Sequence, residues 1–216
     1  MQPLSNIRRE YSQAKLSKDS LSSDPIVQFE RWMAEAVAGG GLSDPTAMTI
    51  ATVDASGQPS QRIVLLKDVS QQGFVFYTNL ASRKAQDIAA NQHISLHFPW
   101  HALERQVHVR GRVQMLEREE VDLYFATRPR LSQLAAWTSK QSKPIASREA
   151  LLGRFEKIKQ KFQDDVIPVP EFWGGYRVFP HEIEFWQGGD YRLHDRFVFS
   201  RQSEQDKDWA IQRLMP

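Results

Sequence analysis

Cysteine is absent from the 216 residues. Disulfides, thiolate metal sites, iron–sulfur clusters and thiol nucleophiles are therefore excluded, and nothing points to an oxidising compartment. Long apolar runs are missing too. No stretch approaches the ~18 residues that span a bilayer, and the opening MQPLSNIRREYSQAKLSKDS has no apolar core of signal-peptide type. The expectation is a soluble cytoplasmic protein with no membrane partner. Charge of one sign is also lacking: 28 Lys and Arg stand against 26 Asp and Glu, a net +2 that gives no bias toward nucleic acid. No G-x-G-x-x-G, G-x-x-x-x-G-K-[ST] or G-x-S-x-G occurs, which argues against Rossmann, P-loop and α/β-hydrolase readings. His181-Glu182 and His194-Asp195 are adjacent pairs rather than ligands spaced for a helix-based site, so no metal is expected.

What is present is a chain with an ordinary apolar fraction of 41%, enough for a proper core. Residues 1–22 are polar, carry Arg8, Arg9, Lys15 and Lys18, show no periodic apolar face and read as a mobile arm. Residues 23–216 read as one domain. Asp24-Pro25 opens a helix whose Ile26, Phe29, Met33, Ala36 and Val37 follow helical spacing, with Trp32 beside them, until Gly39-Gly40-Gly41. From Ala47 the period changes to two, and strands are predicted at 47–53, 61–67, 73–78 and 93–98. The run 105–115 puts Val107, Val109, Val113 and Met115 on one face, with Gln106, His108, Arg110, Arg112 and Gln114 on the other.

Helices are predicted at 82–91, 118–126, 130–139 and 147–163, the last with Leu151, Leu152, Phe155, Ile158 and Phe162 on one stripe. Strands return at 176–179, 182–187, 192–200 and 209–214. Strands, a helical insert over 117–165 and C-terminal strands within 172–216 indicate an α+β fold, mainly antiparallel β and closed as a barrel.

Several polar clusters suit anions, each with a plainer structural alternative. Arg62 and Lys67 lie about 16 Å apart along an extended strand at ~3.3 Å per residue, with opposite parity; the alternative is two solvated strand-end cations. Ser82-Arg83-Lys84 at a helix start, near Tyr77-Thr78, would make a phosphate cradle or merely a solvated first turn. Tyr124, Arg128 and Ser132 recur at i, i+4 and i+8 across Pro129, where the helix should break; they suit one phosphate or form a polar face. Arg192, His194 and Arg196 would share one strand face and repel unless an anion lies among them. Gln141-Ser142 adds hydroxyl and amide groups in a loop. Trp186 before Gly188-Gly189 is core or covers a planar ligand.

The runs QRIVLLK (61–67), FYTNLASRKA (76–85), FPWHALERQV (98–107), YFATRPRLSQLAAW (124–137), SKQS (139–142), FWGGYRV (172–178), IEFWQGG (183–189), RLHDRF (192–197) and RLMP (213–216), with Arg8-Arg9-Glu10-Tyr11, closely resemble the pyridoxine/pyridoxamine 5'-phosphate oxidase family over nearly the whole chain. The resemblance implies an FMN-binding split β-barrel with a helical insert and flanking helices, working as a homodimer with FMN at the interface. It implies that FMN is held by Arg62, Ile63, Val64, Leu65, Leu66 and Lys67, with Tyr77, Thr78, Arg83, Lys84, Gln106, Gln141, Ser142, Trp186 and Arg196 completing the site. The substrate phosphate would meet Lys67, Tyr124, Arg128 and Ser132. Arg192 and His194 would pack against the pyridine ring, Asp44 matches a further active-site carboxylate, and Arg8, Arg9, Glu10 and Tyr11 would close over the substrate. Met215 and Lys143-Pro144 depart from the family pattern without touching a proposed contact.

The implied reaction oxidises C4' of pyridoxamine or pyridoxine 5'-phosphate, passing hydride to FMN and then electrons to dioxygen, with hydrogen peroxide and, from the amine, ammonia as co-products. Other split-barrel flavin reductases lack the substrate-phosphate set. A non-catalytic FMN or pyridoxal-phosphate binder would keep the ligands without turnover. A nucleic-acid binder rests only on the cationic strand 105–115.

Overall fold

The computed structural model describes residues 3–6, 9–39, 41–203, 206 and 208–216. Its elements are α1 (Pro25–Ala38), β1 (Ala47–Val53), β2 (Pro59–Leu65), β3 (Asp68–Ser70), β4 (Gly73–Asn79), α2 (Arg83–Ala90), β5 (His93–Trp100), β6 (Arg105–Met115), α3 (Arg118–Thr127), α4 (Arg130–Thr138), α5 (Arg148–Phe162), β7 (Trp173–Gln187), β8 (Asp195–Ser200) and β9 (Ala210–Leu214). The strands form one antiparallel sheet in the order β2-β1-β5-β6-β7-β4-β3, with β8 and β9 continuing from β7. Leu66 and Lys67 lead directly from β2 into β3, and the Lys67 amide donates to the Val75 carbonyl of β4 at 2.8 Å. The two ends of the path are thus consecutive in the chain, and the sheet curls back on itself as a barrel.

β7 gives the barrel its split. Its first half pairs with β4, from Trp173 opposite Asn79 to Val178 opposite Phe74. Its second half pairs with β8, from Glu182 opposite Ser200 to Gln187 opposite Asp195, while β6 runs along its other edge. The change of partner coincides with a register shift between Arg110 and Gly111, opposite Pro180. A proline without an N–H sits where the ladder is already interrupted. The two strands expected at 176–179 and 182–187 are therefore one. The expected strand 192–200 begins only at Asp195, because Tyr191 and Arg192 have φ of 56° and 67°. The strand expected to reach Lys67 ends at Leu65, so the parity argument about Arg62 and Lys67 does not apply.

α1 is capped as its sequence predicts: Asp24 Oδ1 accepts from the Ile26 and Val27 amides at 2.7 and 3.3 Å. It drives Phe29 into the barrel, edge-on to Phe74 and Phe98 with both ring centroids 4.9 Å away, and Trp32 against Phe185. Each such ring contributes roughly 1.5–3 kcal/mol by burial. The insert α3–α5 covers the outer side of β4 and β7 through a second cluster that includes Val75, Val121, Phe125, Leu134 and Trp173. With both faces covered, β4 is buried along most of its length.

Four apolar residues expected inside lie outside: Val37, Met115, Leu151 and Leu152 are all exposed. Helical and strand periodicity extends past the surface that the neighbouring layer covers. The cations of β6 are paired within the chain: Arg105 with Glu35 and Gln187, Arg110 with Glu182, and Arg112 with Gln92. No helix among the described residues is long and apolar enough to cross a membrane, and no group of three His, Asp or Glu is placed to hold a metal.

Candidate functional site

The barrel and its insert enclose a cavity of about 370 Å³ between the end of β2, the end of β4, α3 and the turn after α4. Ile63, Val64, Leu65, Lys67, Tyr77, Thr78, Lys84, Tyr124, Arg128 and Gln141 all line it. Residues from four separate sequence motifs thus share one wall. A larger cavity of about 520 Å³ lies beyond Gln141 but includes neither Lys84 nor Arg128.

Lys84, in the first turn of α2, is buried. Its ammonium donates to Gln141 Oε1 at 2.7 Å, to Thr78 Oγ1 at 3.1 Å and to Ser82 Oγ at 3.5 Å, all neutral oxygens. Burial, with the nearby Arg62 charge, pulls its pKa down to about 8. A buried cation with only neutral partners is stabilised by an incoming anion. Arg62 is placed beside it by a network in which Thr52 Oγ1 accepts from Arg62 Nη1 and donates to the buried Asp87, each at 2.6 Å. Burial lowers the Arg62 pKa, and Asp87, 3.6 Å from its guanidinium, opposes this. The first amide of α2 is not free as expected: Arg83 N donates to Ser142 Oγ at 3.2 Å, and the Arg83 side chain leans on Asp54 at 3.7 Å.

Arg128 follows α3 and precedes Pro129, which breaks the helix as expected. Its guanidinium lies over Trp173 and Phe125, 4.7 and 5.4 Å from their ring centroids, and its Nη1 is buried without a hydrogen-bond partner. Burial lowers its pKa. Tyr124 stacks on Tyr77 at 3.9 Å and 11°, and Tyr77 on Trp173 at 5.3 Å and 5°. Desolvation raises both phenols, Tyr77 to about 12, so they are hydroxyl donors at neutral pH. Ser132 is half-buried in the first turn of α4 and is not part of the cavity lining.

A second group forms elsewhere on the sheet. His97 and His108 stack on each other at 4.4 Å, and Gln106 Oε1 bridges them, 3.1 and 3.2 Å from their Nε2 atoms. Desolvation depresses both imidazoles. No hydrogen bond occupies the Gln106 NH2 among the described residues. Trp186 and His194 pack at 4.6 Å. The Gly189 amide donates to His194 Nδ1 at 3.1 Å, so the neutral ring carries its proton on Nε2. Burial first, then Arg192, lowers the His194 pKa. Arg196 is bidentate to Glu184 at 2.7 and 3.0 Å, so its charge already has an anion, one the sequence reading did not assign. Arg192 is exposed in its left-handed turn. None of Gln106, Trp186, Arg192, His194 or Arg196 lines the first cavity.

Where a mobile arm was expected, residues 9–16 are tied down: Arg9, Ser12 and Gln13 to Glu104, Leu16 to Asp195. Tyr11 stands edge-on to Trp186 and His194. Glu10 is exposed, and Arg8 lies outside the described residues. Asp44 is exposed, its Oδ1 occupied by the Thr46 amide at 3.0 Å and hydroxyl at 2.6 Å. Sequence reasoning missed Thr52, Asp87, Glu104 and Glu184. Only Glu184 left a signal, since alternation in EIEFWQ puts it on the face of Trp186.

A family model described as pyridoxamine 5'-phosphate oxidase matches residues 34–162, and one described as pyridoxine 5'-phosphate oxidase C-terminal dimerisation region matches 173–216. The pyridoxine/pyridoxamine 5'-phosphate oxidase of Pseudoalteromonas atlantica is 67% identical over 216 residues, 100% of each chain. That of Alteromonas mediterranea is 55% identical over 213 residues, 99% of each. Among solved structures, PhzG from Burkholderia lata, in complex with tetrahydrophenazine-1-carboxylic acid, superposes with a TM-score of 0.87 at 28% identity, covering 95% of this chain and 100% of that one. A pyridoxamine 5'-phosphate oxidase-related, FMN binding protein from Nostoc punctiforme shares the fold, with a TM-score of 0.74 at 15% identity over 91% of this chain and 100% of that one.

Proposed function

The chain belongs to the pyridoxamine 5'-phosphate oxidase family, and on that premise we propose that its two groups of site residues are the halves of one active site, each completed by a second copy of the chain. The protein is an FMN-dependent oxidase that converts pyridoxamine and pyridoxine 5'-phosphate to pyridoxal 5'-phosphate, the product of B6 coenzyme synthesis and salvage. When bound, FMN supplies the two-electron chemistry, with dioxygen as the proposed acceptor.

The observation that carries the residue assignment is the buried, unpartnered Nη1 of Arg128 in the cavity wall. A cation held this way is set for a charge-assisted bond to a phosphate. Arg128, with Lys67, the Tyr124 hydroxyl and Ser132, takes the phosphate of the B6 substrate. Lys84 and Arg62, with Arg83, Gln141, Ser142 and Thr78, take the phosphate of FMN; the donor set fits a dianion because Lys84 has only neutral partners. β2 is an edge strand paired only with β1, so Ile63, Val64 and Leu65 can offer backbone groups to the flavin ring, and Tyr77 adds a wall. Leu66, just past β2, is buried with its amide on the Thr46 carbonyl at 2.9 Å and is kept on family resemblance alone.

From the other copy come Gln106 as an amide donor, Trp186, and Arg196 held by Glu184. Arg192 and His194 orient the pyridine ring, His194 through its Nε2–H. Arg9 and Tyr11 close that side. Asp44 is kept as a catalytic candidate on family resemblance alone. Positioning of two ring systems and two phosphates is the protein's main contribution.

Mixing two impaired variants tests the composite site, assayed at pyridoxamine 5'-phosphate well below the raised KM of Arg128→Leu, where each variant alone is nearly inactive. Arg128→Leu and His194→Leu damage opposite halves, so refolding them together should give heterodimers with one intact site. An equal mixture should recover about a quarter of wild-type turnover, as random pairing of a two-fold dimer dictates. No recovery, with heterodimers present, would refute the shared site.

A further inference from the structure

Glu104 is 3% exposed and lies in none of the recognised motif contacts, yet both of its carboxylate oxygens are used. Oε1 accepts from Arg9 Nη2 at 2.9 Å, and Oε2 accepts from the Ser12 and Gln13 amides at 2.9 and 3.0 Å. Its main chain is fixed to the ring side of the sheet, with its carbonyl accepting from the Gly188 amide at 2.7 Å and from Gln187 Nε2 at 3.1 Å. The residue has φ 53°, a left-handed conformation that a side chain with a Cβ adopts only where its surroundings enforce it. A buried carboxylate needs donors, and the described arm supplies three of them.

Between those three donors sits Tyr11. It lies directly on Gly188, where a Cβ would approach the Tyr11 Cβ to 2.8 Å, and its ring is edge-on to Trp186 at 6.0 Å and to His194 at 5.7 Å. The far end of the segment is anchored separately: the Leu16 amide donates to Asp195 Oδ2 at 2.9 Å, and Arg213 bridges Asp195 and the Leu16 carbonyl. Residues 9–13 are thus held at Glu104, with a separate anchor at Leu16.

We infer that Glu104 is a positioning residue for the oxidase reaction, latching the arm so that Tyr11 forms one wall of the pocket for the substrate ring. This rests on the assignment of Trp186 and His194 to that pocket. Removing the latch frees two backbone amides that water can satisfy once the arm lifts, so the barrel core need not be disturbed.

Two variants test it. Glu104→Gln keeps the length but sets an NH2 against Arg9; Glu104→Asn tolerates the left-handed backbone but is one methylene too short. Both should speed trypsin cleavage within residues 9–15 by about tenfold. Both should raise KM for pyridoxamine 5'-phosphate by roughly tenfold, with kcat within about twofold and FMN affinity and Tm unchanged. Wild-type cleavage, wild-type KM despite a loosened arm, or a joint fall of Tm, FMN affinity and kcat would each overturn the inference. His194→Leu, run in parallel, tests the underlying reading by itself: wild-type kinetics there would remove the ring pocket, while cleavage would still report on the latch.

Discussion

Lys84 Nζ donates to the Gln141 side-chain oxygen across 2.7 Å, so a buried ammonium on α2 faces a neutral amide from the loop after α4. Its pKa of about 8 lies below the ordinary lysine value of 10.5. Between those values the unfolded chain binds a proton that the folded chain does not, so this group makes the FMN-free protein more stable as pH rises through the window. A phosphate dianion favours the ammonium and reverses the shift. FMN binding should therefore take up a proton, and affinity should weaken between pH 7 and 9.5. Flavin fluorescence titrations of the FMN-free protein at both pH values measure this. Lys84→Met should bind FMN more weakly at pH 7 and lose most of the pH dependence; a flat wild-type profile would contradict the assignment.

If Arg128 binds the substrate phosphate as proposed, Arg128→Leu removes a charge-assisted contact worth about 2 kcal/mol, so KM for pyridoxamine 5'-phosphate should rise roughly thirtyfold. FMN affinity should not change. Because the guanidinium Nη1 is buried without a partner, Tm should fall little. Steady-state kinetics and a thermal melt decide the matter, and an unchanged KM would place the phosphate elsewhere.

Thr52 lies outside the cavity but joins Arg62 to Asp87. Thr52→Val keeps the shape and deletes both bonds, at a cost of about 1–3 kcal/mol in stability from the polar groups left short of a partner. FMN affinity should fall with it, since Arg62 loses its fixed orientation. Equilibrium denaturation and FMN titration would each show the loss; wild-type values in both would dismiss the network.

Gly111 sits at the register shift of β6, where a Cβ would run into the Phe179 carbonyl. Gly111→Ala should cost about 1–3 kcal/mol or more and lower Tm by several degrees. Gly153 in α5 has nothing within 4 Å of such a Cβ, so Gly153→Ala should instead stabilise by roughly 0.5–1 kcal/mol. Equal effects at the two positions would refute the steric account.

Local rules settled much of this protein before any packing was considered. Asp24-Pro25 fixed the start of α1, the Pro129 break fixed where Arg128 leaves α3, and strict alternation fixed the buried face of β6, because caps, ring closure and side-chain parity act within a few residues. The motif residues of the two proposed phosphate sites were legible as cations that lacked a local reason. Tertiary structure decided the rest. Only the pairing of β7 first with β4 and then with β8 makes two predicted strands into one, and only the left-handed turn at Tyr191-Arg192 takes Arg192 out of the strand face it was assigned. Asp87, Thr52, Glu104 and Glu184 matter through partners 10 to 95 positions away in sequence. Pairings of that kind depend on long-range packing, to which neither periodicity nor spacing responds.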